Sequence, residues 1–312
     1  MTILNALQSV ITILLMISIG FILSKKEWLN EATSKLFAKI VINISLPALM
    51  VYNLMTSFSK DELINLMGGI IVPFTGIALS YLLSIPVSKI LQIKPERRGL
   101  FRALFAFSNT IFVGLPVNIA LFGEKSVPMV TLYYIANTTL FWTIGVYGIR
   151  GDTAEGNGGI FSVDTIKRIF SPILLAYIFS ILLILLEIKL PNFLLDTCKY
   201  MSQMTTPLSM LIIGTIIYSI DISGFRIDRD VVVLLIGRFL ITPLLIYYIF
   251  TLFNGPVLMG KVFVVEAAMP VMTTIAIVGH AYGADHKYAT FMVTISTVAS
   301  LLIIPLFMLF LG

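Results

Sequence analysis

Two constellations in this chain could do chemistry, and both are polar exceptions inside apolar stretches. Glu266 stands in VVEAAMP (Val264 to Pro270). A carboxylate in mid-span costs several kcal/mol unless it is paired, protonated or bound to a cation, so its default reading is functional. One turn further on, Pro270 interrupts the span, and the half-helix that ends there adds unpaired carbonyls with partial negative charge. One carboxylate beside carbonyls makes a hard oxygen site, suited to sodium or to a proton. Asn137 and Thr138, with Ser296 and Thr297, are the candidates for further oxygen ligands. The structural alternative for Glu266 is a protonated side chain held by a hydrogen bond.

The second constellation surrounds Asn109, in SNTIFVGLP (Ser108 to Pro116). A helix broken at Gly114-Leu115-Pro116 would restart with unpaired N–H groups and roughly half a positive charge at its start. A half-helix beginning near Pro270 would aim a like end at the same place from the opposite side, if the two halves of the chain are inverted. Such ends favour an anion by about 0.3 to 1 kcal/mol when exposed and up to about 2 when partly buried. A carboxylate is the natural occupant. The expected contacts are Asn109, Gly114, Leu115 and Pro116 from one half, and Met269, Pro270 and Thr273 from the other. The competing role for Asn109 is to bond a loose backbone group of the broken helix.

The elements that must position these residues follow from composition. With 58% hydrophobic and 12% charged residues, the chain reads as an all-α polytopic membrane protein rather than a soluble globule. The run Ile3 to Leu23 lacks the basic start of a cleaved signal and is read as the first span. At about twenty residues per crossing, ten spans are expected: 3–23, 33–56, 63–85, 99–123, 127–149, 169–188, 200–220, 231–253, 260–281 and 288–311. Loops and flanks after odd-numbered spans hold sixteen of the Lys and Arg residues and those after even-numbered spans five, which puts the odd loops in the cytoplasm and both termini outside. One cysteine, Cys198, and two histidines, His280 and His286, argue against a disulfide, a metal cluster or cofactor chemistry. A net charge of +5 sets orientation and does not suggest nucleic acid.

The segment GDTAEGNGG reads as a connector (151–165) between a first five-span repeat (1–150) and a second (166–312). Its glycines are not a phosphate loop, because no strand precedes them and no Gly-Lys-Ser/Thr follows. Five spans per half force the second repeat to be inverted. NISLPALM (Asn43 to Met50) pairs with QMTTPLSM (Gln203 to Met210), and SNTIFVGLP with VVEAAMP; 69 residues separate Pro47 from Pro116, and 63 separate Pro207 from Pro270.

The stretches SNTIFVGLPVNIALFG, EAAMPVMTTIAIVGHAYGAD and NISLPAL resemble the auxin efflux carrier family, and the resemblance runs in order over nearly the whole chain. That family includes plant auxin exporters and bacterial permeases for malonate, malate or similar acids. Its long central loop, present in many plant members, is short here, which implies the bacterial type. The family is similar in fold to the bile acid:sodium symporters. The resemblance implies a scaffold of spans 1, 2, 6 and 7, through which a homodimer could form, and a moving domain of spans 3–5 and 8–10, with spans 4 and 9 unwound where they cross. Asn109 matches the asparagine of the family's NT-x-x-x-G-x-P motif. A span-nine glutamate ligates sodium in the symporters, whereas plant auxin carriers mostly have glutamine there, so Glu266 implies a coupled cation.

The expectation is therefore a secondary transporter for a small organic anion in the cell membrane, of elevator type, coupled to Na+ or H+; an uncoupled carrier is the alternative. A channel would need polar residues lining several helices, and here they cluster at mid-span. A sensor or enzyme would need an output domain or a nucleophile with its base, and neither is visible. Arg238 reads as a side chain snorkelling to the membrane edge, and His280 as a residue at the cytoplasmic end of span nine.

Overall fold

The computed structural model describes residues 3–151, 169–219 and 228–311. The expected connector lies outside the described residues except for Gly151. Among the described residues every element is helical, apart from one antiparallel bridge between Ser108 and Val271. In chain order the helices are α1 (Ile3–Lys25), α2 (Glu31–Ser57), α3 (Lys60–Ile90), α4 (Arg98–Ala106), α5 (Thr110–Phe122), α6 (Val127–Leu140), α7 (Val146–Gly151) and α8 (Pro172–Leu185). They continue with α9 (Asn192–Ser202), α10 (Thr205–Tyr218), α11 (Arg229–Phe253), α12 (Val257–Ala267), α13 (Thr274–Ala281) and α14 (His286–Leu311). By length and composition, α2, α3 and α11 are sufficient to cross a membrane. The short α9, with Phe193 and Tyr200 exposed, has no counterpart in the sequence reading.

Polarity is distributed as a bilayer requires. On α3, Leu79, Leu82 and Leu83 point outward, whereas Ser80, Ser84 and Ser88, spaced four apart on one face, are completely buried. The Ser80 and Thr242 hydroxyls meet at 2.7 Å between α3 and α11. Small and hydroxyl-bearing residues face the protein because lipid offers no hydrophobic drive for helices to associate and close packing must supply it. Between α1 and α10 the same logic appears in glycine. A Cβ on Gly20 would strike the backbone of Leu211, and one on Gly214 the backbone of Ile17. That approach also brings Ser24 within 2.9 Å of Thr215.

Proline does not act as the sequence suggested. Pro47, Pro116 and Pro243 each come two residues after a π turn, at Val41–Ser45, Thr110–Gly114 and Gly237–Ile241. A π turn shifts the hydrogen-bond ladder by one residue; the Leu115 N–H, for instance, reaches back to Thr110 O. This moves aside the carbonyl that the ring would strike, and proline itself has no N–H to leave unpaired. The expected break at Gly114-Leu115-Pro116 is thus corrected: α5 runs unbroken through those residues. The chain is interrupted seven residues earlier instead, at Phe107–Asn109, and in the second half between Ala267 and Thr274.

Outside the apolar region, Arg97 donates from Nε and a terminal nitrogen to Asp285 Oδ2, both at 2.7 Å, and stacks over Tyr288. Burial would raise the Asp285 carboxyl, but the Tyr288 N–H and the Arg97 guanidinium outweigh it and hold the group below the usual carboxylate range. Because the folded-state value is depressed, this contribution is present at neutral pH and is lost as pH falls below about 4. Asp285→Asn is expected to lower the melting temperature slightly at pH 7, and the difference is expected to shrink as pH falls below about 4. Equal melting of the two proteins throughout would show the pair to be silent.

Candidate functional site

The two interruptions cross each other. At the crossing, Asn109 N–H donates to Pro270 O at 2.8 Å and Met272 N–H donates to Phe107 O at 3.1 Å, the pattern of a short antiparallel ladder. An interrupted helix leaves orphan backbone groups that lipid cannot satisfy, and here each segment satisfies the other. Phe107 is anchored edge-on to Phe141 at 5.5 Å, which fixes the segment's position against the π turn Phe141–Gly145 that follows α6.

Side chains from corresponding places in the two halves pin the ladder. Asn137 on α6 accepts from the Ser108 N–H at 3.2 Å and donates to Ser108 O at 3.0 Å. Ser296 on α14 accepts from the Val271 N–H at 3.1 Å and donates to Val293 O. Thr297 donates to the same Val293 carbonyl. Asn137, Ser296 and Thr297 are therefore engaged with backbone, and the structure does not gather them around Glu266.

On one side of the ladder lies a cavity of 130 Å³. Asn109, Thr110, Thr138, Thr273 and Thr274 give it polar walls, Phe112, Tyr134, Trp142 and Met272 apolar ones, and Ile42 of α2 and Ile173 just inside α8 close it from outside the crossing. The first turns of α5 and α13 both border it, so the positive ends of two helices lie beside one small space, although the Thr110, Phe112, Ile275 and Ala276 N–H groups are already paired. Asn109 Oδ1 caps α5 by accepting from the Phe112 N–H at 3.3 Å. Among the described residues its amide NH2 takes no protein partner, and the residue borders the cavity. The oxygen thus serves the helix, as the competing role for Asn109 expected, and the nitrogen is left over.

The other expected contacts lie elsewhere. Gly114 faces Glu266, where a Cβ would collide with both carboxylate oxygens. Leu115 and Pro116 are buried behind it. Met269 packs with Val113 and Val117 against Ile13 and Ile17 of α1, and Pro270 contributes its carbonyl to the ladder.

Glu266 is completely buried and is not among the residues that line that cavity. Its Oε1 accepts from Asn118 Nδ2 at 2.7 Å, while Oε2 and Asn118 Oδ1 have no hydrogen-bond partner among the described residues. Asn118 also donates to Gly114 O at 2.9 Å. Sequence reasoning missed Asn118, although an amide two residues after Pro116 in an apolar run was a visible signal.

Arg238 corrects a second expectation. It is not at a membrane edge but fully buried, donating to Phe105 O at 3.3 Å and to Ala267 O. The π turn that contains it points the side chain inward, where it finds carbonyls that a snorkelling residue would have sought in water or headgroups.

A family model described as membrane transport protein matches residues 5–158 and 159–308. An uncharacterized transporter of Methanocaldococcus jannaschii is 28% identical over 309 residues, covering 95% of this chain and 96% of the relative. An uncharacterized transporter of Methanothermobacter thermautotrophicus is 26% identical over 321 residues, covering 98% of each.

Proposed function

Because the chain belongs to the membrane transport protein family, to which the resemblance to auxin efflux carriers pointed, we propose that this multi-pass membrane transporter carries a small organic anion by elevator-type alternating access. The anion is a mono- or dicarboxylate of about the size of malonate or malate. The single observation that supports this reading is the cavity where the ends of α5 and α13 converge beside the free amide of Asn109. At 130 Å³ it is well below the roughly 300 to 1,000 Å³ of sites for drug-sized ligands, which favours a compact acid. Among the described residues no lysine or arginine lines it, so helix ends, one amide and threonine hydroxyls would carry the recognition.

The two halves act as inverted repeats, each supplying one crossing segment and one pinning residue. The antiparallel pairing of Ser108 with Val271 supports that relation. The moving part consists of α3 to α7 with α11 to α14; α1, α2, α8 and α10 form the scaffold, with both chain termini outside. The cavity's closure by Ile42 and Ile173, from the scaffold, suits a substrate carried across that boundary. Glu266, buried on the moving part with one oxygen unpaired, is the group through which a cation is coupled to the anion.

Saturable counterflow of labelled mono- and dicarboxylates in proteoliposomes tests the reading, and a linear, non-saturating flux would replace it with a channel. Asn109→Ser keeps a good helix cap, since serine caps about as well as asparagine, but loses the amide donor. A hydrogen bond to a charged group contributes about 1.5 to 3 kcal/mol, so anion affinity is expected to fall about tenfold to a hundredfold with the melting temperature retained. Unchanged affinity would leave Asn109 as a cap alone.

A further inference from the structure

Arg238 stands where two interrupted helices end. The C-terminal turn of α4 presents the Phe105 carbonyl and that of α12 presents the Ala267 carbonyl, and one guanidinium bonds both. Each terminus carries roughly half a negative charge on carbonyls that have no partner within their own helix. Two such ends facing one another in a dry interior repel, and they form an electronegative place for a cation. Arg238 is completely buried there, with the Tyr133 hydroxyl alongside. The ion pairs among the described residues, Arg97–Asp285 and Lys35–Glu31, do not involve it. A buried cation without a carboxylate partner is costly unless something else balances it. What balances it here is the pair of helix ends.

We propose that Arg238 is a built-in cation, whose guanidinium permanently fills the place between the carbonyl ends of α4 and α12 that an exchangeable small ion would otherwise take. It ties the two first half-helices together just behind the crossing, so that the cavity's two N-terminal ends stay in register as the moving part shifts. The inference rests on the crossed-helix reading above and deepens it: this carbonyl pair contributes no transported cation, and any coupling ion is left to Glu266. Arg238 is thus a positioning residue that does not touch the anion.

The test is a set of thermal melts of purified protein, which need no substrate and so remain informative even if no carboxylate proves to be carried. Arg238→Lys preserves the charge, and Arg238→Gln preserves donors and much of the length without it. Lysine is expected to lose a few degrees and glutamine clearly more. Arg238→Ala is expected to gain a stabilisation by guanidinium ion at tens of millimolar that the unsubstituted protein lacks. Glutamine melting at or above lysine would show an ordinary hydrogen-bond role and overturn the proposal, as would an alanine variant that folds and responds to guanidinium no more than the unsubstituted protein does. Should alanine fail to fold, the lysine and glutamine comparison decides alone.

Discussion

Glu266→Gln is expected to abolish uphill accumulation of the anion while sparing its exchange. Glutamine has the shape of the protonated acid and can still accept from Asn118 Nδ2, the 2.7 Å bond that holds the side chain in place. Gly114, across from both oxygens, leaves no room for a larger group but admits this isostere. What glutamine lacks is a charge that can appear and disappear. A carrier that moves one proton with each anion gains about 1.4 kcal/mol per pH unit of gradient, or about tenfold in concentration. Without the titratable group, accumulation should fall to the level of simple equilibration, whereas counterflow, which needs no net coupling, should persist. Gradient-driven uptake measured side by side with counterflow distinguishes the two. A Glu266→Gln protein that still concentrates its substrate tenfold across a pH or sodium gradient would remove Glu266 from coupling. Loss of both activities would instead make Glu266 part of the fold, acting through Asn118.

The largest effect on stability is expected at Asn137. Its amide bonds both the N–H and the C=O of Ser108, a residue with no exposure; the carbonyl also accepts from the Thr110 N–H at 3.0 Å, so it is the Ser108 N–H that depends on Asn137. A buried polar group left unpaired costs about 1 to 3 kcal/mol, so Asn137→Ala, which strands that one donor, should destabilise by about that amount. Ser296→Ala likewise strands one donor, that of Val271, and should cost slightly less, since no carbonyl loses a partner with it. Equilibrium unfolding from detergent micelles measures the series. Near-equal stability of Asn137→Ala and the unsubstituted protein would mean that the crossing is held by its own backbone ladder and that the side chains are incidental.

The same residues mark the limit of what the chain discloses by composition and order. Membrane residence was legible because it depends on sums: long apolar runs, few charges and basic residues on alternate loops require no knowledge of contacts. Glu266 and Asn109 were legible as exceptions, since a polar group in an apolar run is conspicuous wherever it points. That two segments are interrupted could also be read, because Pro270 truly breaks its helix. The position of the other break could not. Proline marks a missing donor, and whether the helix stops or widens depends on whether a π turn can precede it, as one does before Pro116. The true interruption at Phe107–Asn109 contains no proline and exists because Pro270, Met272 and Asn137 offer its backbone other partners. Direction was equally invisible. Arg238 looked like a residue seeking water, and the fold turned it toward two helix ends instead. Sequence alone determined the solvent and named the unusual side chains, because both follow from residue type. Tertiary structure decided which orphan backbone groups those side chains serve, because hydrogen bonds between segments over a hundred residues apart depend on where the chain folds back.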